Sequence, residues 1–468
     1  MRGRLLMVLL VFLAVRAATV WAYGKNATLY YYGQVSGQFA IADAWRHGHE
    51  FSEDRTLSAA ACRIADSEGR FIPLEEWETL PRSGEYKTFP AVDLPGYGYL
   101  IAWTSRLFGD NLTSKYAMIV QVLAEAAGVV AFSAAVMLLV GTGIGMWAGL
   151  LYSLTFPVIW AQASQPMRDI FAVPIMALVL LALAVFRSRL PRERIWIPGA
   201  LLVAAILLWV RPSAYFMFFF VSPLVLLAPG RAWRERLACA ALFVAIPLLV
   251  FGLPQKRFNA KYYGTTNTHF LGRSLWEGLG IVQDNPYGLR LDDQALTPWL
   301  ESRGHRVEYA SVEMNRLLGE YVGEVLRKEP MLFVRALGLR LVSFAERPLD
   351  FTPPRSYPRP GDAAASPIHT ALRDPVGFFY AVCSRTAPWL GWAGMAAALA
   401  WLLLRREDWW AIITLQTPFL YAVGSVMPLN YEPRYGAAGA WSLLTALAWC
   451  AWAAWSRMRG KPAEESET

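Results

Sequence analysis

Apolar stretches about 20 residues long alternate along this chain with polar segments, most of them short turns and two of them long runs. A helix needs about 20 apolar residues to cross roughly 30 Å of hydrocarbon. The first stretch, 5–24, follows Arg2 and Arg4, as the core of a signal peptide would. It is longer than a usual signal core, Arg16 interrupts it, and no small-x-small cleavage pattern follows. It therefore reads as a retained first helix. Further stretches cover 116–139, 143–162, 170–186, 195–211, 213–229, 237–253, 387–404, 409–428 and 436–456. The pattern predicts an all-α polytopic membrane protein with about ten transmembrane helices. The stretches that meet near 140 and near 212 are almost continuous. Segment 93–109 is apolar but short, and reads as interfacial or re-entrant.

Composition agrees. Of 468 residues, 55% are hydrophobic and 17% charged, against about 25% charged in soluble domains. This excludes a disordered chain, a collagen-like fibre and a small disulfide scaffold. Lys and Arg in short loops set orientation. Arg2, Arg4, the arginines of 187–194 and 231–236, Arg405, Arg406 and the basic residues of 457–461 fall on one side. The opposite short turns carry Arg168, Arg211 and Arg434. Both termini are then cytoplasmic. The chain divides into an N-terminal transmembrane module (1–253) with a first outer loop (25–115), an outer segment (254–386), C-terminal transmembrane helices (387–456) and a cytoplasmic tail (457–468). The net charge of +8 is mostly topology, and no basic face marks a nucleic-acid partner.

Both outer segments carry helical patterns. QVSGQFAIADAWRHG has helical spacing, while HEFSEDRT and LEEWETLPRSGEY read as polar loops. SVEMNRLLGEYVGEVLRKEP is an amphipathic helix with Glu–Arg pairs, and MLFVRALGLRLVSF after it suits the membrane surface. Cys239 and Cys450 fall in spans as packing residues. Cys62 and Cys383 fall outside, where a disulfide can form.

Three turns on the outer side concentrate unusual polar groups: Arg168-Asp169, Arg211-Pro212, and Glu432 with Arg434. Ionisable groups at membrane depth or its edge are functional candidates, and clustered arginines suit a lipid phosphate. Snorkelled anchoring is the bland alternative. Arg16 either reaches the same phosphate or snorkels to the interface. His47, His49 and Glu50, with Glu53 and Asp54 beyond, could ligate a divalent metal such as Zn²⁺, given a partner such as Asp169. A solvated polar loop is the plain alternative. No Gly-x-Ser-x-Gly, His-Glu-x-x-His, P-loop or dinucleotide fingerprint occurs.

Taken in order, several segments resemble the GT-C glycosyltransferases, which include protein O-mannosyltransferases and bacterial aminoarabinose transferases. GALLVAAILLWVRPSAYFMFF resembles the family's helix ending in Arg-Pro or Lys-Pro. PLNYEPRYGAAGAWSLL is similar to its Glu-x-Arg-Tyr turn before the last helix. DLPGYGYLIAWTSRLFGDN, QPMRDIFAVPIMALVLLAL and EVLRKEPMLFVRALGLRLVSF resemble other segments in the same order. The likeness spans roughly 5–456.

The resemblance implies a bacterial inner-membrane enzyme, of hexosyl or pentosyl type. It would transfer a sugar from a polyprenyl-phosphate donor to a protein, lipid or glycan acceptor on the outer face, with inversion. An outer-loop acid acts as general base and cationic residues hold the phosphate, sometimes with a divalent metal. By position, Asp169 matches the acid of one turn. Arg211 and Arg434 match the phosphate-holding residues, joined by Arg168 and Tyr435. One departure stands out. The family's first-loop acid is missing from YYYGQVSGQ, where Gln34 and Gln38 stand instead. Asp43 and Asp93 are the preferred replacements, ahead of Glu50, Glu53 and Asp54. Two other readings stay open: a transporter or flippase of lipid-linked glycan, and a non-catalytic scaffold on the same fold.

Overall fold

The computed structural model describes all residues except 25–31, 69–73, 89–95, 109–113, 156–167, 267–270, 293–294, 310, 347–374, 427–436 and 459–468. The chain is mostly helical. It opens with α1 (Arg2–Gly24) and α2 (Tyr32–Arg46). A strand, β1 (Ser52–Asp54), leads into α3 (Arg55–Glu68) and α4 (Leu74–Thr79). β2 (Tyr86–Thr88) pairs antiparallel with β1, placing Glu53 opposite Lys87. α5 (Gly96–Phe108) follows. Residues 52–68 and 74–88 are therefore folded, which corrects the expectation of polar loops and of a purely helical chain. Its local chemistry explains this: Glu53 and Asp54 are buried, and Asp54 gathers the chain around itself, as shown below.

A helical bundle follows. α6 (Ser114–Val140) turns at Gly141 into α7 (Thr142–Thr155). Gly141 has φ +119, a conformation other residues rarely adopt, so it splits the nearly continuous apolar run there. α8 (Ala172–Ser188) has twelve buried residues out of seventeen, which makes it the central helix. α9 (Glu193–Leu207) and α10 (Tyr215–Leu226) are separated by Arg211-Pro212. α11 (Trp233–Pro247) passes through a π turn, Leu248–Gly252, into α12 (Leu253–Tyr263). This long helix continues ten residues beyond the apolar stretch seen in sequence, carrying the polar residues Gln255 and Asn259 in buried positions.

Small residues let the helices approach. A Cβ on Gly149 of α7 would lie 2.3 Å from Ser133 Oγ and 2.7 Å from Val8 Cγ1, a form of close packing common between membrane helices. Arg231 donates to the Phe186 carbonyl at the end of α8 (2.8 Å) and to Glu193 (3.0 Å). It thus satisfies a helix C-terminus.

Next come α13 (Leu271–Leu279), α14 (Leu296–Glu301), α15 (Val312–Lys328) and α16 (Pro330–Glu346). They share a separate core around Trp276, Leu300, Leu318 and Val322. Ser311 caps α15 by accepting from the Met314 amide at 3.1 Å, so the expected amphipathic helix starts where its sequence says. The chain then runs through α17 (Pro375–Leu404), α18 (Trp409–Tyr421) and α19 (Ala437–Met458). Trp441 of α19 packs against Phe132 and Tyr152, joining the C-terminal helices to α6 and α7.

Among the described residues, two helices are long and apolar enough to cross a membrane: 119–140 and 233–263. Three shorter apolar helices lie at 172–188, 212–226 and 389–404. The larger number of about ten spans stays an expectation from the sequence. Cys239 is buried and reduced; the side chains of Cys62 and Cys383 lie outside the described residues.

Candidate functional site

Pro212 lacks an amide hydrogen and fixes its own φ, so α9 cannot run on and the chain turns at Arg211. This turn is braced from two sides. Trp209 donates its indole N–H to the Val250 carbonyl (3.2 Å), inside the π turn between α11 and α12. Tyr421, the last residue of α18, donates to the Ser213 carbonyl at 2.5 Å. A second π turn, Ala422–Val426, begins at the next residue. Wider π turns leave carbonyls out of the regular ladder, and they recur at functional sites. Arg211 itself is half-buried.

The first turn of α5 rests on the same place. A Cβ on Gly96 would lie 2.0 Å from the Trp209 carbonyl oxygen, so only glycine lets α5 begin there. The neighbouring Tyr97 is buried, donates to Gln121 Oε1 of α6 (3.1 Å) and meets the Phe171 ring at 6.1 Å. Phe171 closes the 3-10 turn Arg168–Phe171, which carries Asp169. Gly98 donates its amide to Gln38 Oε1 of α2 at 2.9 Å. Four amides at a helix start lack intrahelical partners, and Gln38 satisfies one of them. The Gln38 Nε2 is buried with no hydrogen-bond partner. The start of α5 thus touches the Arg211 turn, the Asp169 turn and the first-loop helix within three residues.

Asp93 lies outside the described residues, as do Glu432, Arg434 and Tyr435. The backbone of Arg168 and Asp169 is described; their side chains are not.

The first-loop acids are distributed differently. Asp43 is fully buried in α2. Its Oδ1 accepts from Trp77 Nε1 (3.3 Å) and Arg82 Nη2 (3.2 Å), while Oδ2 has no hydrogen-bond partner and lies 3.7 Å from His47 Nδ1. Asp54 accepts from the amides of Thr56, Leu57 and Gly84 and from the Ser83 hydroxyl. Burial opposes its charge, but those four hydrogen bonds outweigh burial and hold the carboxyl below its ordinary range. Glu53 is shifted the other way, raised by burial against the opposing Ser58 hydrogen bond and Arg55. Arg55 also pairs with Glu308, which ties this region to the 254–386 segment.

The expected metal ligands do not come together. His47 Nδ1 is 2.9 Å from the Asp43 carbonyl oxygen, His49 stacks on Tyr86 at 3.8 Å, and Glu50 is exposed. Among the described residues, no group of three or more His, Cys, Asp or Glu is placed to hold an ion.

Arg16 is fully buried, between α1 and α6. It donates from Nε and Nη2 to both oxygens of Glu125, at 3.0 and 2.7 Å, and Tyr152 of α7 donates to the same carboxylate at 3.1 Å. Its partner is Glu125, inside the helix bundle, where the sequence suggested a lipid phosphate or the interface. Sequence reasoning overlooked Tyr97, Gln121 and Trp209. Gln121 and Glu125, four residues apart in an apolar helix, were a readable signal. Beside α5, Phe51 (φ +50) donates its amide to the Tyr99 hydroxyl and packs on Phe258 and Tyr262. Burial pushes the Tyr99 phenol up to about 12.

The sequence matches no protein-family model and no curated protein. Solved structures share its fold. It is similar to the oligosaccharyltransferase of Archaeoglobus fulgidus tethered with an acceptor peptide containing the NVT sequon. The identity is 12% and the TM-score 0.53, over 98% of this chain and 50% of that one. The apo form of that protein matches at 12% identity and TM-score 0.51, over 98% and 51%. The chain thus spans about half the length of the oligosaccharyltransferase it matches. The chain shares the overall fold of that oligosaccharyltransferase. A lower likeness, TM-score 0.37 at 15% identity, is to ArnT from Cupriavidus metallidurans bound to undecaprenyl phosphate, over 96% of this chain and 79% of that one.

Proposed function

We propose that this chain is an integral membrane glycosyltransferase. It transfers a sugar from a polyprenyl-phosphate donor to a protein, lipid or glycan acceptor on the outer face of the membrane. The observation that carries this is the start of α5, which holds the Asp169 turn and the braced Arg211 turn against one short stretch of backbone. An acid and a cation on neighbouring turns are the two groups that inverting transfer needs. The acid takes the acceptor proton, and the cation stabilises the phosphate that departs. Asp169 is assigned the first role and Arg211 the second, with Arg168, Arg434 and Tyr435 as further phosphate ligands. Asp43 is assigned a scaffolding role, since Trp77 and Arg82 occupy one of its oxygens.

A non-catalytic scaffold is the second reading. It is favoured by Gln38, a neutral amide that meets the start of α5 where the family resemblance leads one to look for an acid. One experiment separates the two. Purified protein is supplied with labelled polyprenyl-phosphate sugars, and wild type is compared with Asp169→Asn, Asp43→Asn, Asp93→Asn and Arg211→Gln. The enzyme reading expects Asp169→Asn to abolish transfer while still binding polyprenyl phosphate, and Arg211→Gln to weaken that binding. Binding without turnover in wild type points to the scaffold. Loss confined to Asp43→Asn or Asp93→Asn reassigns the base.

A further inference from the structure

α16 is apolar on both of its sides. Leu332, Ala336 and Arg340 recur every fourth residue and are buried, the first two in the small core of the 254–386 segment. Over 331–342, apart from Arg335, the opposite face is apolar as well. Met331, Val334, Leu341 and Val342 are between 43% and 59% exposed. A helix in water keeps a polar face opposite its core face, and one without it has a second apolar neighbour. Nothing among the described residues covers this side of α16.

Charge indicates what the neighbour is. Residues 331–345 contain no acid. Arg335 sits at the edge of the open face, 3.8 Å from Glu329, and Arg327 and Lys328 are exposed just before the helix. An apolar face rimmed by cations is complementary to a lipid surface with anionic headgroups. The chain also carries helices long and apolar enough to span a membrane, so a bilayer is the extended apolar surface within its reach.

We propose that α16 is a membrane seat: it lies in the bilayer interface, with Val334 and Leu341 in the acyl region and Arg335 at the headgroups, and so fixes the 254–386 segment on the lipid surface. The inference does not depend on whether the chain transfers sugar. A second copy of the chain is the competing occupant.

The test uses full-length protein, its native cysteines replaced, in vesicles of phosphatidylcholine and phosphatidylglycerol. Spin labels are placed at Val334→Cys, Leu341→Cys and, as a water-facing control on α15, Glu320→Cys. The expected result is several-fold greater collision with oxygen relative to a water-soluble nickel complex at 334 and 341 than at 320. Equal nickel access at all three positions overturns the proposal, and so does spin–spin broadening between copies at 341. Should the labelled variants fail to fold, a lipid-phase diazirine probe on wild-type protein serves instead. Labelling within 331–342 is expected, and its absence alongside labelled spans overturns the proposal.

Discussion

Arg16 of α1 and Glu125 of α6 form a fully buried two-point ion pair, 2.7 and 3.0 Å, that Tyr152 of α7 completes. Gln121, one turn away on α6, receives Tyr97 from the start of α5. One face of α6 therefore holds α1, α7 and the helix that meets the candidate site.

Removing one partner of a buried pair leaves an uncompensated charge, at a cost of about 3–5 kcal/mol, whereas replacing both with apolar groups can be nearly neutral. Arg16→Met and Glu125→Leu alone should each lower the thermal unfolding temperature in detergent strongly, and the double variant should recover most of the loss. An additive double variant would show that the pair does not act as a unit.

Gly96→Ala should separate packing from chemistry. Its Cβ would collide with the Trp209 carbonyl, while the same change at Gly199 meets nothing within 4 Å. Gly96→Ala is expected to weaken polyprenyl-phosphate binding and slow transfer with helical content retained, and Gly199→Ala to change neither. Circular dichroism and donor binding read the two effects.

Asp54 gives a pH prediction. Its folded pKa lies below the ordinary aspartate value of 3.8, so the folded state holds fewer protons near that pH than the unfolded state. The stability it contributes is present above 3.8 and is lost as pH falls through the folded value. Protection from hydrogen exchange across 52–88, corrected for the intrinsic rate at each pH, should therefore fall on acidification below 3.8 in wild type. Asp54→Asn should exchange faster at neutral pH already and show less of the acid step.

Glu53 has the opposite sign. Burial raises its folded pKa, so its contribution is full below the ordinary glutamate value of 4.5 and is lost as pH rises through the folded value. Glu53→Gln should be as stable as wild type or more so at neutral pH, measured by thermal unfolding. Clear destabilisation there would mean that the Ser58 and Arg55 contacts dominate.

The helices were legible in sequence because apolar run length reports directly on them. Pro212 and Gly141 marked real breaks for backbone reasons. The folding of residues 52–68 and 74–88 was hidden because their order comes from Asp54 collecting amides up to thirty residues away, which no local pattern encodes. Arg16 was open to a lipid-phosphate reading because its partner, Glu125, is 109 positions distant. The Arg211 and Asp169 turns could be named from motifs, but α5 as the element between them could not, since Gly96 and Tyr97 look like ordinary small and aromatic residues.

The most direct test of the central claim is turnover by the wild-type protein. Reconstituted protein is incubated with a pool of polyprenyl-phosphate sugars and candidate acceptors, and free polyprenyl phosphate is followed over time. The account predicts acceptor-dependent release that Asp169→Asn abolishes. Donor binding at the Arg211 turn with no release from any sugar in the pool would contradict it.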